Sequence, residues 1–347
     1  MYQIESNISN IEEDIKLDFS DVLIRPNKTD ITSRNDVNLE RNFYFPKSKQ
    51  SWKGIPIMSS NMDTIGTYEV YKVLSTYKIL TVFHKFYSAD DFLKMNLDKN
   101  YFVISTGITD NDFKRLTEIL DKIDVKFICI DVANGYMKSF LNFCQKIRLL
   151  YPNKILIAGN IVCKNLTKEL LTLGIDIVKV GIGNGSACTT RIKTGIGVPQ
   201  LSAIIDCHKE ALLNEGYVVG DGGITCPGDV VKGLGAGADF IMIGGQFAGH
   251  DENPGELIIE NGVKFKQFYG MSSDTAMLNH YGEVKKYKTS EGRTLKIKYK
   301  GRLEDTVIDY LGGVRSACAY LNVDQIKNIT NKINFIRVNN QFNKIFI

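Results

Sequence analysis

The 347-residue chain lacks the features that mark secreted, membrane-spanning and zinc-stabilised proteins. Its seven cysteines include no CxxC pair, so neither a disulfide framework nor a zinc site is indicated. No apolar run approaches the roughly 20 residues that a membrane-spanning helix needs. The N-terminus is polar and has no signal-peptide core. Only four histidines are present, none suitably spaced from another, which argues against a catalytic metal. We therefore expect a cytoplasmic protein.

The composition is that of a globular protein with a sizeable core, since 44% of the residues are hydrophobic. A chain of this length forms either one large α/β barrel or two ordinary domains. The net charge of +4 is mild. It suits an anionic small-molecule ligand but does not demand nucleic acid.

Short apolar runs recur along the chain at fairly even intervals. Runs of four or five residues rich in Ile, Val and Phe are typical of strands buried on both faces. Eight of them stand at residues 55–58, 79–83, 102–105, 127–131, 155–159, 177–180, 217–220 and 240–243. Segments with helical periodicity, such as residues 112–122, 164–173 and 228–237, lie between them. Eight β-then-α units predict an α/β fold, a (β/α)8 TIM barrel, with a doubly wound sheet as the alternative.

Polar and glycine-rich motifs follow seven of the eight runs. Active sites of such barrels form at the C-terminal ends of the strands, so we expect these motifs to meet at one mouth and to hold a large polar ligand. They are residues 59–63, 84–85, 131–135, 159–160, the loop after residue 180, 221–223 and 244–245. In the second of them, Lys85 is a better candidate than the lone His84, as the partner of an anion.

One cysteine stands in a glycine- and hydroxyl-rich loop, residues 180–200, directly after the sixth run. Glycines let such a backbone approach a ligand closely. With Arg191 three residues further on, Cys188 is a candidate nucleophile. The alternative is that Cys188 is only a small buried residue, the common role of a free cysteine.

The loops after the seventh and eighth runs carry Asp221-Gly222-Gly223 and Gly244-Gly245. Barrels commonly bind phosphate there with backbone N–H groups. An aspartate repels phosphate but accepts hydrogen bonds from ribose hydroxyls, so the motifs together predict a cradle for a nucleoside monophosphate. The alternative for Asp221 is a helix N-cap.

A long segment follows the eighth run and contains the polar, lysine-rich residues 281–302. It is too long for an ordinary barrel loop. We expect a mobile flap over the site, spanning about residues 262–302; the alternative is a solvated surface hairpin. Residues 312–317 are expected to open the final helix, and the tail from residue 324 to be peripheral.

Taken together, the motifs resemble the inosine monophosphate dehydrogenase and guanosine monophosphate reductase family, a family of (β/α)8 barrels. The resemblance runs from about residue 15 to about residue 320. It is carried by residues 17–26 (LDFSDVLIRP), 56–63 (PIMSSNMD), the cysteine loop, 220–224 (GDGGI) and 268–273 (FYGMSS).

Within this family the chain is more similar to the reductases. Dehydrogenases usually carry a pair of CBS modules after the second strand, and the connection to residue 102 is too short to hold them. The resemblance therefore implies a single catalytic domain over residues 1–347, with its barrel at about 50–322 and no CBS module. The alternatives are a dehydrogenase without CBS modules, which converts IMP and NAD to XMP, and a non-catalytic purine nucleotide sensor.

The resemblance implies NADPH-dependent reductive deamination of GMP to IMP and ammonia through a covalent thioimidate. Cys188 would be the nucleophile, with Thr190 and Glu291 supplying the proton for ammonia. The substrate contacts implied are Asp221, Gly222, Gly223, Gly244, Gly245, Gly270, Met271, Ser272, Lys288, Thr289, Ser290 and Gly292. The cofactor contacts implied are Ser33, Arg34, Lys85, Asp131, Val132, Ala133, Ser316, Ala317, Cys318 and Ala319. A potassium ion at Gly183, Gly185, Cys188 and Arg191, and a homotetramer, are implied as well.

Three positions depart from the family pattern. Asn184 stands where proline is usual, which predicts a less rigid cysteine loop. Val198 replaces the tyrosine usual in reductases. Lys288 stands where arginine is common, and lysine keeps the charge but loses the fork geometry.

Overall fold

The computed structural model describes residues 11–282 and 290–339. Its strands, in chain order, are β1 (Val22–Ile24), β2 (Arg41–Phe45), β3 (Gln50–Gly54), β4 (Ile57–Ser59), β5 (Leu80–Phe83), β6 (Phe102–Thr106), β7 (Phe127–Asp131), β8 (Ile155–Ile161), β9 (Ile177–Val180), β10 (Tyr217–Asp221), β11 (Phe240–Ile243), β12 (Ile258–Glu260), β13 (Val263–Tyr269), β14 (Thr294–Lys298) and β15 (Phe335–Arg337). Its α-helices are α1 (Tyr68–Leu74), α2 (Ala89–Leu93), α3 (Asp110–Lys122), α4 (Lys138–Leu150), α5 (Lys164–Thr172), α6 (Thr190–Thr194), α7 (Gln200–Leu213), α8 (Pro227–Gly235), α9 (Asp274–Tyr281) and α10 (Leu303–Tyr320). Within the described ranges, no helix combines the length and apolarity needed to cross a membrane.

Strands β4 to β11 close into a barrel in which every neighbouring pair is parallel, and β11 pairs with β4 to complete it. The predicted (β/α)8 fold is confirmed. Most of these strands are buried along their whole length, which is why continuous apolar runs located them in the sequence. The first strand begins two residues later than predicted, after Pro56, which has no N–H to donate to a neighbouring strand.

The helices cover the outside of the barrel, and local capping fixes where several of them begin. At the start of α3, the Thr109 side chain accepts the N–H of Asp112, and the Asp112 carboxylate accepts the N–H of Thr109 in return. The helix then buries Leu116 and Ile119 against the barrel. The connection from β5 to β6 contains α2 as its only helix, and every residue of that connection is described.

An antiparallel hairpin, β2–β3, closes the N-terminal end of the barrel. Its Phe43, Phe45 and Trp52 are buried in one cluster with the barrel interior. The Phe43 ring lies 4.4 Å from that of Phe240, and Trp52 meets Phe127 edge to face at 6.1 Å. The apolar runs of the sequence do not predict this strand pair. The hairpin seals the end of the barrel opposite the polar motifs.

The final helix does not open at residues 312–317 as predicted. α10 begins at Leu303 with Glu304 and Asp305 in its first turn, where acidic side chains favour the helix dipole. A Cβ on Gly312 would have nothing within 4 Å, whereas one on Gly313 would lie 2.5 Å from the Cβ of Pro227. Gly313 therefore lets α10 lie close to α8, and the glycine pair is a packing feature within the helix.

The expectation that the tail is peripheral is wrong for its first part. β15 pairs antiparallel with β1, and Ile326 and Ile329 are buried in the main core. The side chain of Asn27 donates to the carbonyls of Leu321 and Lys332, which holds the two ends of the described chain together.

The segment expected to form a flap contains regular structure. β12, β13 and β14 form an antiparallel three-stranded sheet, and α9 follows β13. Lys288 and Thr289 lie outside the described residues. We refer to residues 262–302 below as the 262–302 segment.

Candidate active site

A cavity of about 270 Å³ opens at the C-terminal ends of the barrel strands. Six of the eight strand ends contribute to it, together with the 262–302 segment. The ends of β5 and β6 do not line it. Its lining residues are Ser60, Asn61, Met62, Asp131, Val132, Ala133, Asn160, Lys179, Gly181, Ile182, Gly183, Asn184, Gly185, Ser186, Ala187, Cys188, Thr190, Asp221, Gly222, Gly223, Ile224, Met242, Gly244, Gly245, Phe268, Gly270, Met271, Ser272, Glu291 and Gly292.

The three residues predicted to be catalytic meet in this cavity. The Cys188 Sγ lies 3.2 Å from Thr190 Oγ1, which donates in turn to Glu291 Oε2 at 2.7 Å. Cys188 is partly exposed, so the alternative of an inert buried thiol does not describe it. The chain of thiol, hydroxyl and carboxylate is a path along which a proton can move between Cys188 and Glu291.

The 262–302 segment brings Glu291 into the cavity by pairing with the cysteine loop. Cys188 and Gly292 form an antiparallel bridge, and the N–H of Thr189 donates to the carbonyl of Glu291 at 2.8 Å. The N–H of Arg293 donates to the carbonyl of Ala187 at 2.9 Å. This main-chain pairing fixes a glutamate beside a threonine that is 101 positions away in sequence.

A buried lysine that the sequence pattern did not reveal as a site residue joins two of the three acidic residues that line the cavity, Asp131 and Asp221. Lys179 Nζ donates to Asp131 Oδ1 at 2.8 Å, to Asp221 Oδ2 at 2.6 Å and to Asn160 Oδ1 at 2.7 Å. Burial disfavours its charge, but the carboxylates of Asp131 and Asp221 outweigh burial and raise the pKa of Lys179. Burial also works against the charge of Asp131, yet the nearby ammonium of Lys179 holds the pKa of that carboxyl below its usual value. One signal was available in the sequence: a lysine in the otherwise apolar run Ile177–Val180 must have a partner.

Asn184 connects the cysteine loop to its surroundings through both its side chain and its backbone. Its side chain donates to Gln200 Oε1 and accepts from Arg191, and its carbonyl accepts the N–H of Gly223 at 2.9 Å. These three contacts connect the loop to its surroundings at Asn184. The expectation of a less rigid loop stays a prediction.

The hydrogen bonds that Arg191 donates go to groups other than the thiol of Cys188. Its guanidinium donates to Asp18 Oδ2 at 3.1 Å, to Asn184 and to the carbonyl of Val198 at 2.8 Å. Val198 therefore contributes its backbone carbonyl to the loop, and a residue of any type could supply that group. Arg191 braces the loop, and the polar neighbour of Cys188 is Thr190.

The predicted phosphate cradle lies at the ends of β10 and β11. Gly222 and Gly223 have φ angles of +96° and +83°, a backbone conformation that favours glycine. The N–H of Gly223 is taken by Asn184, so it is not available to a phosphate as predicted. A Cβ on Gly245 would lie 2.4 Å from Ser186 Oγ, which shows how closely that backbone approaches the loop. Asp221 ends β10, and α8 begins only at Pro227, so the N-cap alternative is wrong.

The predicted cofactor residues divide into two groups. Asp131, Val132 and Ala133 line the cavity, whereas the others do not. Lys85 lies 3.7 Å from Asp112. Ser33 caps a short 3-10 turn, Arg34–Asp36, that packs against α10, the helix that carries residues 316–319. Cys318 is fully buried, so its side chain is unavailable to a cofactor.

No group of three or more His, Cys, Asp or Glu residues that could hold a metal occurs within residues 11–282 and 290–339. The carbonyls predicted for potassium are a different kind of site. Two of them already accept backbone hydrogen bonds: Gly185 from Cys188 at 3.0 Å and Arg191 from Gly195 at 3.1 Å. Each carbonyl has a second lone pair.

Comparison with known proteins agrees with this geometry. The family model described as "IMP dehydrogenase / GMP reductase domain" matches residues 16–343. GMP reductase 1 of Mus musculus is 49% identical over 341 residues, which cover 97% of this chain and 99% of that protein. GMP reductase of Escherichia coli O139:H28 is 49% identical over 342 residues, with the same coverage, and that of Caenorhabditis elegans is 48% identical over 343 residues, 97% of this chain and 96% of that protein. The chain therefore belongs to the IMP dehydrogenase / GMP reductase family.

Proposed function

We propose that this chain reduces GMP to IMP and ammonia with NADPH as the electron donor. The observation that carries the proposal is the hydrogen-bonded chain from Cys188 through Thr190 to Glu291 inside the cavity. It supplies both a nucleophile and a proton store, the two groups that displacement of an amine requires. The relatives named GMP reductase support the choice of substrate.

In the proposed displacement, the proton that Cys188 releases is the one that the departing ammonia takes up. Cys188 loses its proton through Thr190 to Glu291, and its sulfur bonds to C2 of the guanine ring. The bond from C2 to the 2-amino nitrogen breaks, and Glu291 returns the proton so that ammonia leaves. A thioimidate remains on Cys188. A bound reduced nicotinamide would supply the hydride that C2 needs, and breaking of the C–S bond would then release IMP and restore the thiolate of Cys188. The covalent step divides one difficult substitution into two easier ones.

Asp221 and Asp131 give the ligands their orientation in this proposal. Asp221 Oδ2 is taken by Lys179 and Asn160, so its other oxygen is the one offered to ribose hydroxyls. Asp131, with Val132 and Ala133, forms the wall of the same cavity and would hold the nicotinamide end of the cofactor. Gly244 and Gly245 lie beside Ser60 and Ser186, which adds hydroxyl donors to the backbone N–H groups proposed for the phosphate. Further contacts with the substrate are proposed for Gly270, Met271, Ser272, Ser290 and Gly292.

The proposal extends to one catalytic domain, a potassium ion and a homotetramer. Carbonyls of Gly183, Gly185, Cys188 and Arg191 would hold the ion, which activity in potassium against sodium buffers tests. Ile192 and Ile196 are 82% and 61% exposed, and such apolar surface supports an interface with another copy. Sedimentation equilibrium tests the tetramer. We also propose that the 262–302 segment acts as a flap.

The decisive experiment follows the absorbance of the reduced cofactor in two mixtures. We expect turnover with GMP and NADPH and none with IMP and NAD; turnover only in the second mixture would overturn the proposal. Cys188→Ala should abolish turnover. Cys226→Ala is the matched control, because Cys226 is also partly exposed but does not line the active-site cavity.

The relay is tested separately. Glu291→Gln keeps the size of the side chain but cannot take a proton, so we expect ammonia release to slow more than hydride transfer. Thr190→Val should act in the same way, whereas Thr190→Ser retains the hydroxyl and should keep most of the rate. An equal loss in both half-reactions would show that the relay assignment is wrong.

A further inference from the structure

Asp63 is a buried carboxylate that the proposed chemistry leaves without a role. It lies in the loop between β4 and α1 and follows Ser60, Asn61 and Met62 in sequence, three residues that line the cavity. Its side chain is 7% exposed. Among the described residues, Oδ1 of Asp63 has no hydrogen-bond partner. A charged group in such a place is costly unless strong donors meet it.

Two donors from the 262–302 segment converge on the other oxygen of Asp63. Tyr269 donates its hydroxyl to Asp63 Oδ2 at 2.9 Å, and His280 Nε2 lies 2.6 Å from the same atom. Asn279 donates to the Tyr269 hydroxyl at 3.2 Å. Burial and the charge of Asp63 raise the pKa of Tyr269 to about 12, so this hydroxyl keeps its proton. The end of β13 and the end of α9 thus meet on one barrel carboxylate.

His280 is fixed on a second side by the barrel. Its ring stacks on that of Phe86, with centroids 3.5 Å apart and an interplanar angle of 7°. Phe86 lies in the loop after β5. The contact holds the imidazole in the orientation that points Nε2 at Asp63.

The residues next to this contact are the ones proposed to hold the substrate. Tyr269 immediately precedes Gly270, Met271 and Ser272, all of which line the cavity. The N–H of Asp63 also points to Met271 Sδ at 3.4 Å. Gly270 is also held by the stretch that carries Glu291, since its N–H donates to the carbonyl of Arg293 at 3.2 Å. Residues 270–272 therefore lie between two supports, Asp63 and the residues next to Glu291.

We propose that Asp63 is a positioning residue: through Tyr269 and His280 it fixes the ends of β13 and α9 on the barrel, so that Gly270, Met271 and Ser272 are held ready for the nucleotide. This inference rests on the proposed function. We call the three residues Asp63, Tyr269 and His280 the latch. Because the latch does not touch the reacting atoms, its loss weakens binding of GMP more than it slows the steps at Cys188.

The test compares two tyrosine–aspartate bonds in the same segment. Tyr269→Phe removes the latch bond, and we expect the KM for GMP to rise about tenfold with a much smaller change in kcat, the effect of losing one hydrogen bond to a charged group. Tyr299→Phe removes the bond that Tyr299 donates to Asp251 Oδ1 at 2.7 Å; neither residue lines the cavity, so KM should be unchanged. His280→Ala should raise KM, and His280→Gln, which keeps an N–H donor, should restore most of the binding.

Two outcomes overturn the proposal: a KM for GMP that stays within about twofold of wild type in both Tyr269→Phe and His280→Ala, or an equal rise in Tyr299→Phe. A wild-type protein that does not turn over GMP would defeat the proposed function instead. The latch is then judged by hydrogen exchange without ligand, at the amides of Gly270 and Ser273, which are bonded to Arg293 and Gly270. Faster exchange in Tyr269→Phe than in Tyr299→Phe supports the latch, and equal exchange contradicts it.

Discussion

At the scale of single residues, Lys179 shows how a charge can be accommodated inside a barrel. Its ammonium is surrounded by Asp131, Asp221 and Asn160, so each acid loses its counter-ion if the lysine is removed. Lys179→Met leaves two carboxylates facing each other without a cation. We expect a loss of about 3 kcal/mol in the free energy of unfolding, measured with urea, and a higher KM for GMP.

Lys179→Arg is the control, because it keeps the charge, and it should lose less stability than the methionine variant. If the methionine variant unfolded at the wild-type urea concentration and kept its KM, the contacts of Lys179 with Asp131, Asp221 and Asn160 would contribute neither to stability nor to binding. A higher KM would also distinguish the role of Lys179 from that of Lys85, which contacts Asp112 and does not line the cavity.

Because His84 is buried, we expect the folded protein to lose stability in mild acid. Burial lowers its pKa from the ordinary 6.5 to about 4, and its Nδ1 accepts the N–H of Phe86 at 3.2 Å, which requires that atom to be unprotonated. The unfolded chain takes up the proton below pH 6.5, whereas the folded protein does so only near pH 4. Stability therefore falls as the pH drops through this window, by about 2 kcal/mol once solvent access is considered.

The measurement is the urea midpoint at several pH values between 7 and 4. His84→Gln has no group that titrates in this range at position 84, so its stability should depend less on pH than that of the wild type. Parallel curves for the two proteins would contradict the assignment. The test also concerns function, since a neutral His84 that accepts a backbone N–H is a structural residue.

At the scale of elements, the sequence located the barrel strands well because they are buried on both faces. β7, β9 and β11 have the predicted bounds, and such strands need only a continuous apolar run. The hairpin that seals the barrel was missed for a physical reason. Only alternate residues of β2, Phe43 and Phe45, are buried, and what they pack against is set by the closed barrel rather than by local pattern.

Site residues could be predicted from the sequence where they belong to one loop, as Cys188 and Thr190 do, or, as for Glu291, where a family resemblance implied them, but not where other distant segments meet. Cys188 and Thr190 are close in sequence, but the latch joins Asp63 to residues more than 200 positions away. Lys179 depends on partners from three other strands. Pairings of this kind follow from barrel closure, which no short window of residues records.

The glycine pair in α10 gives a prediction for that helix. Gly312→Ala places a methyl in open space and should stabilise the protein by about 0.5 to 1 kcal/mol, because alanine loses less entropy in a helix. Gly313→Ala places the same methyl against Pro227 of α8 and should destabilise it. Urea unfolding of the two variants is the measurement. Equal effects would mean that α10 does not pack against α8 in this way.

At the scale of the whole molecule, the fluorescence of the only tryptophan is a probe of the end of the barrel opposite the ligand cavity. Trp52 is 3% exposed, packs against Phe127 and donates its indole N–H to the carbonyl of Asn100 at 2.7 Å. Its fluorescence should therefore change when the barrel opens. If the barrel unfolds as one unit, a nucleotide at the mouth must stabilise the Trp52 end equally.

GMP at about 100 times its Kd should raise the free energy of unfolding by about 2.7 kcal/mol, since it binds the folded protein and not the unfolded chain. We expect the urea midpoints from Trp52 fluorescence and from far-ultraviolet circular dichroism to move together by this amount. Inorganic phosphate at the same concentration controls for ionic strength and should shift both much less. A fluorescence midpoint that ignores GMP while the dichroism midpoint moves would show that the hairpin end opens independently. Binding at the mouth and closure of the opposite end would then be separate properties, although one continuous set of eight strands joins them.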